Sequence, residues 1–301
     1  MPLTLSGAAL AQQGVGARAY LLVPDKTRIA SVRALQARGN ATLDPGRVFQ
    51  GQDVGVNMAV LQYTQAVEIA GQQAGLFAVL PMGQLDVDFK FRFGARSAGS
   101  SGPGDIVLGG VFGLYGSSAL SRSEYAACDP GASLGLLAKL SLPTGTCSSD
   151  GLVSFGGNRV LGQPGLPMGY APGQSSLDPQ LMPFELLPSV IVYGVYGDTT
   201  DPFGGAETTG QDPLWMVEAP ITRYLNRAVW VSLDAVYLYG GETSTNGIAN
   251  GDTRRSFGLG ATAFVALSES SGLKVTYGET VSATADGPDG SLLRAIRVKS
   301  F

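Results

Sequence analysis

The sequence predicts an all-β chain folded as a transmembrane antiparallel up-and-down β-barrel of about twelve strands, with ten or fourteen also fitting. Three observations predict it. Hydrophobicity alternates with period two over segments of about 10–13 residues. That is longer than the ~5–6 of a globular strand and close to the ~9–11 of a tilted membrane strand. Charged residues make up only 15% of the chain and glycine fills 43 of 301 positions, against roughly 25% and 7% in soluble domains. No apolar run approaches the ~18–20 residues of a spanning helix, and only helices and closed barrels satisfy their backbone polar groups in lipid.

In chain order, Met1–Ala11 reads MPLTLSGAALA, and Ala9-Leu10-Ala11 looks like a small-residue cleavage site. Residues 1–11 are therefore expected to be the tail of a truncated signal peptide, with one barrel domain over 12–301. Candidate strands follow at 27–39, 55–68 and 74–93. The third contains the sharpest amphipathic stretch: Asp86, Asp88, Lys90 and Arg92 alternate with Leu85, Val87, Phe89, Phe91 and Phe93. The fourth, 104–115, carries GGVFG (109–113), glycines that let a curved strand bend or pack closely. In 132–142, Leu134, Leu136, Ala138, Leu140 and Leu142 alternate with Ser133, Gly135, Leu137, Lys139 and Ser141.

Next come 158–170, 184–197 and 214–224, then 228–240. There Leu233, Ala235, Tyr237 and Tyr239 oppose Trp230, Ser232, Asp234, Val236 and Leu238. In 254–267, Leu259, Ala261, Ala263, Val265 and Leu267 oppose Ser256, Gly258, Gly260, Thr262 and Phe264. The last two are 272–282, with Leu273, Val275 and Tyr277 opposite Lys274, Thr276 and Gly278, and 291–301. Successive strand residues point to opposite faces, so each segment has one apolar face and one small or polar face, as a lipid-facing wall around a polar lumen needs. Connections 70–73, 225–227 and 268–271 are short and all follow even-numbered strands, whereas 40–54, 94–103, 143–157, 198–213, 241–253 and 283–290 are long and polar. Short turns on one side and long loops on the other place both chain ends on the short-turn side. Connections 116–131 and 171–183 are longer than this pattern asks.

Several stretches also match a known family. They are GARAYLLVP (16–24), SGPGD (101–105), LPTG (142–145), GGNR (156–159), DPFGG (201–205), QDPL (211–214), VSLDAVYLYGGETSTNG (231–247), LGATAFVAL (259–267) and LKVTYGETVS (273–282). The chain resembles the outer-membrane β-barrel family named for the meta-pathway of phenol degradation. The resemblance implies a barrel and a transport role linked to aromatic catabolism. The insertion near Ser175–Met182 and the basic final strand, with Arg297 and Lys299, depart from the family pattern.

Composition excludes several chemistries. The chain has no histidine, which removes the commonest general base and metal ligand, so no serine triad is available and no metal or cofactor is expected. Two cysteines, Cys128 and Cys147, are too far apart for a CxxC motif. They flank 132–142, and if that strand spans, about eleven residues at ~3.3 Å each hold them beyond disulfide reach. The net charge is −4 with no Lys/Arg run, which leaves nucleic-acid binding without an electrostatic footprint. No GxxxxGK[ST] accompanies the glycines, so they are not a phosphate loop.

The candidate lumen-lining residues are Asp234, Lys139 and Lys274, joined by Arg33, Glu185 and Glu218, and by Asp86, Asp88, Lys90 and Arg92 as a charged lumen wall or a solvated rim. Lumen charges either line a pore or pair with one another, and burial favours pairing. Tyr193, Tyr196, Tyr224, Tyr237, Tyr239 and Trp215 fit interfacial girdles. The expected protein is a monomer of the bacterial outer membrane, partnered by lipid and a small-molecule solute. Its expected role is passive uptake without a chemical step, modulated by whether segments 40–54 or 198–213 fold inward. A structural or adhesive barrel, a membrane-embedded hydrolase and a soluble sandwich are the other readings.

Overall fold

The computed structural model describes residues 16–21, 23–42, 48–91, 94–128, 131–146, 153–157, 159–171, 185–196, 199–200 and 208–301. In chain order the elements are β1 (Arg28–Gly39), β2 (Asp53–Ile69), β3 (Gln72–Phe91), β4 (Gly94–Pro103), β5 (Ile106–Tyr115), α1 (Arg122–Ala127), β6 (Ala132–Leu142), β7 (Leu161–Tyr170), β8 (Glu185–Leu186) and β9 (Ser189–Tyr196). There follow β10 (Thr199–Thr200), β11 (Thr208–Gln211), β12 (Leu214–Tyr224), β13 (Val229–Gly240), β14 (Thr243–Thr245), β15 (Ile248–Ala249), β16 (Arg254–Ser268), β17 (Ser271–Ala283) and β18 (Gly290–Ser300).

Every wall pairing is antiparallel and joins successive strands of the wall, with β4, β10, β11, β14 and β15 outside it, and β18 pairs with β1 to close the ring. The wall is a closed barrel of twelve strands, with β8 and β9 sharing one position between β7 and β12. Both ends of the wall meet on the short-turn side, where Phe301 N donates to Arg28 O (2.9 Å). The turns after β2, β12 and β16 lie there too, and so does α1 in the connection 116–131. Among the described residues no helix is long and apolar enough to cross a membrane.

The expected strands return within a few residues, and three departures have local causes. The expected strand 184–197 divides at Leu187-Pro188, because proline has no amide hydrogen to continue the ladder. Leu187 N donates across to Pro220 O (3.2 Å) and Met168 N to Pro188 O (2.8 Å), so the carbonyls stay satisfied. The expected loop 94–103 is strand β4, which folds back on β3. At twenty residues β3 outruns its neighbours, and β5 pairs only with Ala74–Val79, so β4 takes up the backbone groups of the remainder. The expected loops 198–213 and 241–253 contribute β10, β11, β14 and β15, a separate four-stranded sheet.

The two faces of the wall differ as the alternation requires. Outward-facing Val32, Leu61, Leu80, Leu108, Leu140, Ile221, Leu233, Leu259, Val275 and Leu293 are exposed, while Ser232, Asp234, Thr262, Lys274 and Thr276 on the inner face are buried. An apolar exterior around a polar interior inverts the arrangement of a water-soluble domain and is that of a membrane barrel. Trp215, Tyr237 and Tyr239 stand on the exposed outer face near the long-loop end.

Candidate functional site

Inside the barrel the described residues form three zones. On the long-loop side an apolar cluster joins Ala37, Val54, Val56, Leu85, Val87 and Leu292 of the wall to Val153 and Phe155 of the connection 143–157, with Val48 and Phe49 packed against it. That connection is held inward by Asp105, whose carboxylate accepts from Gly145 N (2.8 Å) and Gly157 N (2.7 Å). Val48 and Phe49 are the contribution of segment 40–54 to this cluster. The closure by 143–157 was not expected.

The middle zone is polar. Thr222, Ser232, Thr262 and Thr276 form a buried row across β12, β13, β16 and β17, because register sets each opposite the next. Asp234 accepts from Ser232 Oγ (2.6 Å) and Thr262 Oγ1 (2.5 Å), and Thr262 meets Thr276 (3.0 Å). Glu218 accepts from Ser189 Oγ (3.1 Å). Cations surround these acids: Arg33 on β1, Lys139 on β6, Lys274 on β17 and Arg294 on β18. Glu218 lies within electrostatic reach of Lys139, Arg294 and Asp234.

The chain before β1 enters this zone. Ala17 is fully buried, and its carbonyl accepts from Lys274 Nζ (3.0 Å). Arg18 stacks on Tyr224 (5.1 Å) and Trp230 (5.8 Å), and Lys139 Nζ lies 5.9 Å from the Tyr20 ring centroid. Gly16 has φ +78°, a left-handed backbone that favours glycine, and a Cβ there would sit 2.3 Å from Arg294 Nη2, so a side chain would displace the guanidinium. Residues 16–21 thus obstruct the bore. Beside them, toward the short-turn side, is a cavity of about 360 Å³ lined by Arg18, Tyr20, Gln73, Val111, Pro167 and Glu218 among others.

The family model described as "Putative MetA-pathway of phenol degradation" matches residues 36–291. The chain belongs to this family. Among solved structures the family member is similar to an outer membrane channel from Pseudomonas putida F1, at TM-score 0.72 and 18% identity, covering 96% of this chain and 100% of that one. It is also similar to the β domain of the Bordetella autotransporter BrkA, at TM-score 0.52 and 13% identity, covering 92% and 100%. The transport unit of the Escherichia coli autotransporter AIDA-I gives TM-score 0.50 and 8% identity, covering 95% and 92%. These likenesses concern the fold. A comparison with curated proteins finds no match.

Five of the sequence candidates, Arg33, Lys139, Glu218, Asp234 and Lys274, come together in this family member's polar zone. They do not pair as burial favoured: among the described residues no direct ion pair joins any two of them. The acids take hydroxyl donors instead, and Arg33 Nη2 donates to Gln62 Oε1. Glu185 stands opposite Thr222 in β8, and its side chain lies outside the described residues. Arg92 and Cys147 also lie outside them. Asp86, Asp88 and Lys90 are not in the lumen. They are exposed on the outer face of β3, where Gln84 donates to Asp86 (2.8 Å), Ser97 to Asp88 (2.6 Å), and Lys90 pairs with Asp53. The cause is the length of β3, since its far half rises above the apolar belt and its interior positions, Leu85 and Val87, are the apolar ones.

Sequence reasoning missed Arg294, Arg18 and Tyr20 as interior groups, and it put Trp230 on the inner phase of β13 without giving it a role. Arg294 shares the inner phase of β18 with Leu292 and Ile296, a signal present in the sequence. Trp230 stacks on Phe264 at 5.3 Å. Tyr193 and Tyr196 have side chains outside the described residues, and Tyr224 meets Arg18 rather than standing only at an interface. Cys128 is exposed at the end of α1 on the short-turn side.

Proposed function

We propose that this protein is a monomeric outer-membrane channel that lets small solutes, in particular hydrophobic or aromatic compounds, cross passively. The observation that carries this reading is a closed barrel with an apolar exterior whose bore holds a cavity rather than a continuous core. A twelve-stranded bore is intermediate between filled eight-stranded barrels and open porins of 16–18 strands. Passage then depends on two obstructions that the wall does not need for its own closure. These are the segment 16–21 and the apolar cap around Val153 and Phe155. No step calls for a catalyst, since the interior acids are held by hydroxyls and no histidine exists to move protons. The short-turn side would face the periplasm, as in barrels of this class. The P. putida relative, described as an outer membrane channel, supports the same role here.

Flux into liposomes carrying the refolded full chain tests this. Phenol-sized aromatics, small sugars and salts are compared with liposomes lacking protein. Size-dependent entry of the aromatics above control is expected. Absence of entry for every solute, from a protein whose circular dichroism is that of a folded barrel, overturns the channel and favours a structural or adhesive barrel.

A further inference from the structure

Among the described residues of the middle zone the charges do not balance. There the inner wall presents Arg33, Lys139, Lys274 and Arg294 but only Glu218 and Asp234, while Arg254, nearer the long loops, is paired with Asp252. The segment 16–21 makes the excess larger, because it carries one charged side chain, Arg18, and no carboxylate. We infer that this zone is a binding site for the carboxylate of a small amphipathic anion, an aromatic monocarboxylate of benzoate type. The inference rests on the channel reading and specifies its substrate class.

Three observations converge on it. Both interior acids are already engaged by hydroxyl donors, Asp234 by two and Glu218 by one. Three of the four cations meet neutral groups: Lys274 the carbonyl of Ala17, Lys139 the face of Tyr20, and Arg33 the amide of Gln62. Two of those three partners belong to the segment 16–21 and leave with it. An ammonium out of water is costly without an acceptor, so displacing that segment leaves two lysines that a carboxylate satisfies better than a carbonyl or a ring does. Lys139 and Lys274 also face one another across the bore, since β6 and β17 stand six strands apart in a ring of twelve.

The third observation is the apolar surface beside the charges. Val111, Leu137, Ile191 and Met216 form a buried cluster with Tyr20 and Phe77 against it, and Leu137 precedes Lys139 on the same inner face of β6. A planar apolar ring lying there sets its carboxylate at the height of the lysine. Apolar walls with a few convergent polar groups are how small-molecule sites are built, and here that wall is uncovered when Tyr20 leaves with the segment 16–21. A neutral aromatic uses the wall and not the charges, while an organic cation meets repulsion. The site therefore makes a differential demand that a nonspecific apolar bore does not.

The test is equilibrium dialysis of the folded full chain in detergent at pH 7 with benzoate and with benzyl alcohol, its neutral analogue of similar size. Both solutes are also followed for flux into proteoliposomes. Benzoate is expected to bind about tenfold tighter than benzyl alcohol, the worth of one charge-assisted hydrogen bond. Lys139→Gln with Lys274→Gln is expected to abolish that preference, and Lys139→Arg with Lys274→Arg to retain it. Equal binding of the two solutes by the wild type overturns the inference, as does an unchanged preference in the doubly substituted protein. If the double variant does not fold, Lys139→Gln alone carries the comparison. Flux of both solutes without benzoate preference overturns the anion site and leaves the channel standing. Benzoate binding without flux of either does the reverse.

Discussion

Placing a charge on the outer face of β13 decides whether that face meets hydrocarbon. Leu233 is 72% exposed and points outward between the two buried residues Ser232 and Asp234. It stands four residues beyond Val229, the first residue of β13 after the short turn. At ~3.4 Å per residue along a strand tilted by roughly 40°, it lies about 10 Å in from the short-turn end, close to the middle of an apolar band ~25 Å tall. Leu233→Arg at that depth costs roughly 2–4 kcal/mol in lipid. That lowers the folding equilibrium constant about 30- to 700-fold. On a water-facing surface the same change stays within about 0.5 kcal/mol. Reversible guanidinium unfolding in phospholipid vesicles, followed by tryptophan fluorescence, measures it, with Asp88→Ala on the exposed far half of β3 as the control. If Leu233→Arg and the control differ by less than about 0.5 kcal/mol, the outer belt does not face lipid and the membrane reading fails.

Other perturbations probe the interior and the rims. Thr262→Val removes the hydroxyl that serves Asp234 and Thr276, and unfolding in vesicles is expected to show a loss of about 2 kcal/mol, mostly restored by Thr262→Ser. Gly16→Val forces a side chain where Arg294 stands and onto a left-handed backbone, so it should dislodge the segment 16–21 and raise benzyl alcohol flux several-fold in the liposome assay. Asp105→Ala leaves Gly145 N and Gly157 N without their acceptor, and hydrogen exchange at those two amides should speed up at least about tenfold. Ser121 caps α1 and donates to Glu124, which holds the Glu124 carboxyl below its usual range. A depressed carboxyl stabilises the folded form above its unfolded value and loses that stabilisation as pH falls through the folded one, so α1 should fray only below the ordinary carboxylate range, read by NMR shifts of its amides.

The wall was legible because each spanning strand puts different chemistry on its two faces. In β13 the alternation of Leu233, Ala235 and Tyr237 with Ser232, Asp234 and Val236 fixes both the strand and its inner side. The same rule misleads where the surroundings change. Beyond Met82 the outer face of β3 meets water and the inner face meets an apolar cap, so the charges of Asp86, Asp88 and Lys90 mark the outside instead. Arg294 was hidden because Arg297 and Lys299 put positive charge on the opposite phase of β18, and neither phase then reads as plainly apolar. The obstruction of the bore had no periodic signal at all. Its anchor joins Ala17 to Lys274 across 257 positions of sequence, and only the closed ring brings those two together.

That obstruction is held by a different kind of bond from the wall. β2 and β3 alone share seventeen register pairs, so the wall opens only by losing many backbone bonds at once. Residues 16–21 have no register pair with any strand. One charge-assisted bond, Lys274 to Ala17, contributes ~1.5–3 kcal/mol. The stacking of Arg18 on Tyr224 and Trp230 and of Lys139 on Tyr20 adds ~0.5–2 kcal/mol per contact. Together these come to roughly 3–9 kcal/mol. Releasing six residues from one backbone conformation returns about 1–2 kcal/mol each, or roughly 6–12 kcal/mol. The two sides are of the same order before the packing of Tyr20 and Ala17 is added, so a handful of contacts decides whether the segment stays while the barrel around it stays closed. A carboxylate that outcompetes the Ala17 carbonyl at Lys274 then shifts that balance by its own binding energy. A neutral solute of the same size has no such leverage, and it crosses only as often as the segment leaves unaided.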